Sequence, residues 1–220
     1  AGSIHRNYDL LQQHSLPIVG EHYLRVQHCL IAHPGVALAD IRKVFSHPQG
    51  LAQCERFLRS LSGVKSEAAY DTAGSVKIVK ALGDWSAAAI ASRRAAEVYG
   101  MAILAEGVED DPANFTRFLA IARQPADPGQ DAKTSIVFTL RNVPGSLFKA
   151  LSVFALRDLD LTKIESRPLV GKLWEYLFYI DFAGSIADAT VKRALDHLGE
   201  YALLLRVLGS YPRHRLERAG

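Results

Sequence analysis

Two α/β domains in series are predicted, the second a β-α-β-β-α-β unit. Three observations predict them. Capped helical stripes alternate with short apolar runs up to about residue 124; Pro125-Ala126-Asp127-Pro128-Gly129-Gln130-Asp131 then joins two prolines, a glycine and charges with no apolar period; and a regular alternation of strands and helices follows. The 220 residues, 49% hydrophobic, suffice for one large core or two small ones.

In the first domain Leu51, Cys54, Phe57, Leu58 and Leu61 recur at helical spacing, so Gln49 to Leu61 is predicted as one helix, with Ser46 and Pro48 as its start signal and Gly63 as its stop. Asp71-Thr72 caps a second helix that runs to Leu82 and ends at Gly83. Ser92 caps a third, through Arg93 and Ala96 to Tyr99-Gly100. Ala87-Ala88-Ala89-Ile90 and Ala102-Ile103-Leu104 read as buried strands between turn residues. After the linker, Ser135 to Leu140 is a strand, Pro144 to Leu156 a helix, Leu159 to Ile164 and Trp174 to Phe182 strands, Ile186 to Leu198 a helix and Leu203 to Leu208 a strand. Pro144 stands where a missing N–H is harmless, and Leu147, Leu151, Phe154 and Ala155 form the apolar stripe of the first of these helices. Val191, Ala194, Leu195 and Leu198 form that of the second. The expected result is a ferredoxin-like antiparallel sheet with both helices on one face.

Charge narrows the function. Charged residues make up 22% of the chain and no apolar run approaches a membrane span. The net charge is only +3, and basic residues cluster only in the tail, 213–220, which disfavours nucleic acid. Cys29 and Cys54 lack Cys-x-x-Cys spacing and are expected as buried, reduced thiols; the eight histidines form no metal-ligand pattern, so neither metal nor cofactor is expected. The chain starts at Ala1-Gly2-Ser3 with no initiator Met and no presequence pattern, so an upstream segment is expected to have been removed.

One segment points to chemistry. In Asn114-Phe115-Thr116-Arg117-Phe118 an uncharged hydroxyl is flanked by two aromatics and a cation, a combination suited to an acid acting on an anion in a dry pocket. On spacing alone it also reads as a strand with Phe115 and Phe118 on a core and Thr116 and Arg117 at a surface.

Pro144-Gly145-Ser146-Leu147 opening a helix and Glu165-Ser166-Arg167-Pro168 ending a strand resemble the two signatures of the ACT regulatory domain of prephenate dehydratases. Ser3 to Leu11, Ser46-His47-Pro48-Gln49, Asp71-Thr72-Ala73, Ala89-Ile90-Ala91-Ser92 and Thr116-Arg117-Phe118 follow in the order that family uses, and Phe148-Lys149-Ala150-Leu151 with Lys163-Ile164-Glu165 looks most like its plant branch, the arogenate dehydratases. The resemblance implies a periplasmic-binding-protein-like dehydratase lobe, N-terminally truncated, over 1–124, a linker over 125–133 and an ACT domain over 134–212. It implies an enzyme that removes water and carbon dioxide from arogenate or prephenate, located in the plastid stroma if plant-type and otherwise cytoplasmic. Thr116 matches the acid, Ser46, Gln53, Thr72 and Ala73 the substrate contacts, and Arg117 a residue that organises charge at the substrate. Asn142, Val143, Gly145, Leu147, Glu165 and Ser166 match the allosteric phenylalanine site, formed between paired domains of a dimer or tetramer, and Gly145 is read there as leaving room for the ligand's carboxylate. Ser46 and Thr72 can also be read as helix N-caps alone. The family's Glu-Asn-Ser motif and first lobe precede the segment matched by Gly2 to His5, so the chain alone is expected to be weakly active or inactive. A non-catalytic phenylalanine-binding regulatory protein is the alternative; a two-lobe solute binder leaves the regulatory domain unexplained.

Overall fold

The structure, a computed structural model, describes residues 5–169, 171 and 174–215. In chain order its elements are α1 His5–Gln13, β1 Ile18–Arg25, β2 Cys29–Ala32, β3 Lys43–Ser46, α2 Pro48–Ala52, α3 Glu55–Ser60, β4 Lys65–Ala68, α4 Thr72–Leu82, β5 Ala87–Ala91, α5 Arg93–Tyr99, β6 Ala102–Glu106, β7 Phe115–Ile121, β8 Ala132–Leu140, α6 Ser146–Ala155, β9 Leu161–Pro168, β10 Tyr176–Ala183, α7 Ala189–Tyr201 and β11 Ala202–Pro212. They pack as two units, one of Leu24–Thr116 and one combining Ala1–Tyr23 with Arg117–Gly220. None of the described helices is long and apolar enough to cross a membrane.

The first unit is built on a sheet in the order β4-β3-β5-β2-β6. β3 runs parallel to β4 and β5, whereas β2 is antiparallel to β5 and β6. Strand β5 is apolar throughout because helices cover both faces. Ala87, Ala89 and Ala91 pack with Val76 and Val79 of α4 and Ala95 and Ala96 of α5, while Ala88 and Ile90 share a second core with Cys54, Leu51, Phe57 and Leu58. The Asp71 carboxylate accepts from the Gly74 N–H to start α4, Ser92 Oγ accepts from the Ala95 N–H to start α5, and left-handed Gly83 and Gly100 end them. These are the boundaries expected from the sequence.

The helix expected from Gln49 to Leu61 is two helices, because a distant residue interrupts it. The Asp110 N–H donates to the Gln53 carbonyl at 2.7 Å, and the Asp110 carboxylate accepts from the Arg56 N–H at 3.0 Å, capping α3. Nor do Ser46 and Thr72 cap helices. His47 Nδ1 accepts from the Gln49 N–H at the start of α2, and Asp71 caps α4.

The second unit holds the antiparallel sheet β11-β8-β10-β9. On one face Ile136, Phe138, Leu140, Ile180 and Phe182 pack against Ala150, Val153 and Phe154 of α6 and Val191 and Leu198 of α7. The stripe on α6 is turned from the expected one: Leu147 and Ala155 are exposed, and Ala150 and Val153 join Phe154 inside. On the other face Val137, Leu177, Tyr179, Leu208 and Tyr211 meet Ile18, Leu119, Tyr8 and Leu11, so α1, β1 and β7 cover it. Strands β1 and β7 pair with each other. A Cβ on Gly209 would stand 2.2 Å from the Ile18 carbonyl oxygen, so only glycine permits this backbone approach.

Ala132 and Lys133, expected at the end of the linker, already belong to β8. Of the expected basic tail, the Arg213 N–H donates to the Asp131 carbonyl, the His214 N–H to Glu21 and the Arg215 guanidinium to Asp131. Residues 216–220, and Ser3 and Ile4 of the N-terminal motif, lie outside the described residues.

Candidate active site and ligand cavity

Ligands of open α/β sheets gather outside the carboxyl ends of parallel strands. Ser46 closes β3, Thr72 follows β4, and His28 precedes β2, whose Cys29 pairs with Ala91 at the carboxyl end of β5. The candidate residues of the first unit therefore share one end of its sheet. Ser46 is fully buried and its Oγ donates to the Ile90 carbonyl at 2.7 Å. A Cβ on Gly50 would lie 2.7 Å from Ser46 Oγ and 3.3 Å from Thr72 Cγ2, so Ser46 and Thr72 meet around the first turn of α2. Ala73 is exposed beside them, and the Asp71 carboxylate already sits at that helix start.

Gln53 belongs to a second cluster. Its Oε1 is 2.9 Å from His28 Nε2, and its Nε2 donates to Asn114 Oδ1 at 3.5 Å. His28 is buried and its backbone N–H donates to Glu109 at 2.9 Å. Asn114 Nδ2 is buried without a hydrogen-bond partner among the described residues, a state that costs about 1–3 kcal/mol while it persists. His28 is not singled out by the sequence, and Asp110 and Asn114 are given no role there. Their only signals there are the acidic run Glu109-Asp110-Asp111 and the place of Asn114 two residues before Thr116.

Thr116 and Arg117 are neighbours on β7 and point to opposite sides. Thr116 and Phe118 are exposed, as is Phe115, whereas Arg117 and Leu119 turn inward. This inverts the strand pattern expected from spacing, which buried the aromatics and exposed Arg117. The cause is a buried polar cluster. Arg117 Nε donates to Glu21 at 2.7 Å, its other nitrogens to Asp181 and to the Tyr211 hydroxyl, and Lys133 Nζ donates to Glu21 at 2.6 Å. The Glu21 side chain is 0% exposed, Lys133 4% and Asp181 8%, so two cations and two carboxylates neutralise each other inside the unit. Burial pulls the guanidinium pKa down, but the Asp181 carboxylate and the Tyr211 hydroxyl more than offset this and hold it above its ordinary value. The cation expected to organise charge at the substrate is thus occupied by Glu21, Asp181 and Tyr211.

In the second unit a cavity of about 280 Å³ opens where β8 runs into α6. Asn142, Val143, Gly145 and Leu147 line it, with Tyr176 and Phe178 of β10 among its aromatic walls. Its size and apolar lining suit a small aromatic molecule. Glu165 and Ser166 stand on β9 outside this lining, and Glu165 is 3.1 Å from Lys163. Gly145 is also required by its own backbone. A Cβ there would meet nothing within 4 Å, but its φ of +80° demands glycine.

Comparison with known proteins adds independent findings. The family described as Prephenate dehydratase matches residues 1–126, and the ACT domain family matches residues 134–200. The chain is 54% identical over 222 residues to arogenate dehydratase/prephenate dehydratase 2, chloroplastic, of Arabidopsis thaliana; the match covers 96% of this chain and 58% of that protein, so the chain spans little more than half the relative's length. A solved structure described as GqqA, a novel type of quorum quenching acylase, is 38% identical with a TM-score of 0.83, covering 97% of this chain and 77% of that one. The prephenate dehydratase from Arthrobacter aurescens in complex with L-Phe is 33% identical with a TM-score of 0.83, covering 96% and 71%.

Proposed function

Because the chain belongs to the prephenate dehydratase family, with an ACT domain behind its dehydratase domain, we propose that the protein is a carbon–oxygen lyase of L-phenylalanine synthesis, converting arogenate to L-phenylalanine or prephenate to phenylpyruvate. The functional division runs 1–124 for the dehydratase region and 134–212 for the regulatory domain. The observation that carries the reading is that Ser46, Thr72 and the His28–Gln53–Asn114 cluster gather in one α/β unit, within the region matched to the family.

In the proposed reaction the bond from ring to carboxylate breaks and releases carbon dioxide. Its electron pair enters the ring and expels the hydroxyl on the far side, which takes a proton from Thr116 and leaves as water. Solvent then returns the proton to Thr116. Gln53, Thr72 and Ala73 hold the substrate, with Ser46 buried behind Thr72 against the Ile90 carbonyl. A positioned acid is worth about 10² to 10⁴ in rate, so Thr116→Ala in the intact protein is expected to lower kcat/KM for arogenate and prephenate by at least about a hundredfold. Turnover near that of the unsubstituted protein would sink the assignment, and absence of turnover in the unsubstituted protein would favour a non-catalytic phenylalanine-binding protein.

The cavity beside Gly145 is proposed to bind L-phenylalanine as a feedback inhibitor, with Glu165 and Ser166 contributed across a dimer or tetramer of the chain. Titration calorimetry with L-phenylalanine and sedimentation in its presence test both points. The chloroplastic relative supports a plastid location.

A further inference from the structure

We infer that Asp181 positions Thr116 through Arg117, and that this ion pair conveys ligand occupancy of the β10 cavity to the proposed proton donor. The inference rests on the dehydratase reading and extends it to Asp181, which no family motif quoted above contains.

Side chains alternate along β7, so whatever fixes Arg117 inward fixes the outward face and register of Thr116, its immediate neighbour. The guanidinium is held from three strands at once: by Glu21 of β1, Asp181 of β10 and Tyr211 of β11. Asp181 is itself held, since Ser135 Oγ donates to its other oxygen and lies 2.6 Å from the Tyr211 hydroxyl. Arg117 is thus a positioning residue, and Asp181 acts through it.

Strand β10 makes this anchor sensitive to a ligand. Tyr176 and Phe178 line the cavity, and Asp181 lies three residues beyond Phe178 on the same strand. The pairing of β10 with β9 shifts register between Asp181 and Phe182, an irregularity of the kind that re-aims a side chain. A ligand that moves Tyr176 and Phe178 therefore displaces a strand whose far end grips Arg117. With Asp181 withdrawn, Glu21 and Tyr211 remain within reach as acceptors for Arg117, and we take this as the second arrangement that a coupling of this kind needs.

Asp181→Asn keeps the shape of the side chain and removes its charge. In the intact protein it is expected to lower kcat about tenfold, with KM changed less than about twofold, and to weaken inhibition by L-phenylalanine about tenfold or more while calorimetric binding of L-phenylalanine stays within about threefold. Arg117→Lys, which keeps the charge but loses the fork that reaches three acceptors, should give the same signature if the Asn variant folds poorly. A purely structural role would lower the melting temperature and leave inhibition intact. Wild-type kcat and full inhibition in both variants, with Thr116→Ala still inactive, would overturn this inference alone. Failure of the unsubstituted protein to turn over either substrate would remove the dehydratase reading and the inference together.

Discussion

Cys54 sits between α2 and α3 with no exposed surface, and burial, reinforced by the nearby Asp110 and Glu109 carboxylates, pushes its thiol up to about 12. Burial also raises Cys29. Thiolate is the reactive form, so both cysteines are expected to ignore a thiol reagent at pH 8 until the chain unfolds, and rapid labelling of native protein would contradict the packing. The shift also has a stability sign. The folded thiol of Cys54 titrates above its unfolded value of 9.0, so its contribution is complete below pH 9 and is lost as pH rises from there to about 12. Urea midpoints measured from pH 8 to 10.5 should therefore fall less steeply in Cys54→Ala than in the unsubstituted chain, even if that variant is weaker at neutral pH. The burial of both thiols could be read from the apolar residues around them in sequence. The orientation of Arg117 could not, because Glu21, Asp181 and Tyr211 lie 96, 64 and 94 residues away in the chain.

Elements whose signals are local were readable, and those ended by distant residues were not. The caps and left-handed glycines of α4 and α5 lie within a residue of the helices they bound, and both helices stand where the sequence puts them. The break between α2 and α3 depends on Asp110, more than fifty residues on, and no periodicity in Gln49–Leu61 contains it. Glycines separate in the same way. Gly145 is needed for its own backbone angle, so Gly145→Ala should cost about 1–3 kcal/mol through strain alone. Gly209 has no such angle, but its missing side chain admits the Ile18 carbonyl, and Gly209→Ala must separate β11 from β1 or buckle one of them. Urea denaturation should rank Gly209→Ala as the more damaging of the two. Equal stability of Gly209→Ala and the unsubstituted chain would mean that β1 does not pack there.

At the scale of the whole molecule the sequence marks two domains but not the destination of the first residues. Periodicity reports that a face is apolar, not which partner covers it. Strand β8 is buried on both sides, α6 and α7 cover only one, and Tyr8, Leu11 and Ile18 from the start of the chain fill the other. Two units with separate cores should then gain unequal protection from a ligand, the larger share falling to the unit that holds it. A molecule that binds the cavity beside Gly145 stabilises the unit containing it by about 2.7 kcal/mol at a hundred times its Kd. Hydrogen exchange with saturating L-phenylalanine is therefore expected to slow together in β8, β10 and α6 and in residues 18–23 of β1, because these belong to one unit and pack on the two faces of the same sheet. Amides of β2, β3 and β5 should change little. Protection confined to residues after 132, with none gained at 18–23, would show that the N-terminal segment is not part of the regulatory core, and the anchor of Arg117 on Glu21 would fall with it.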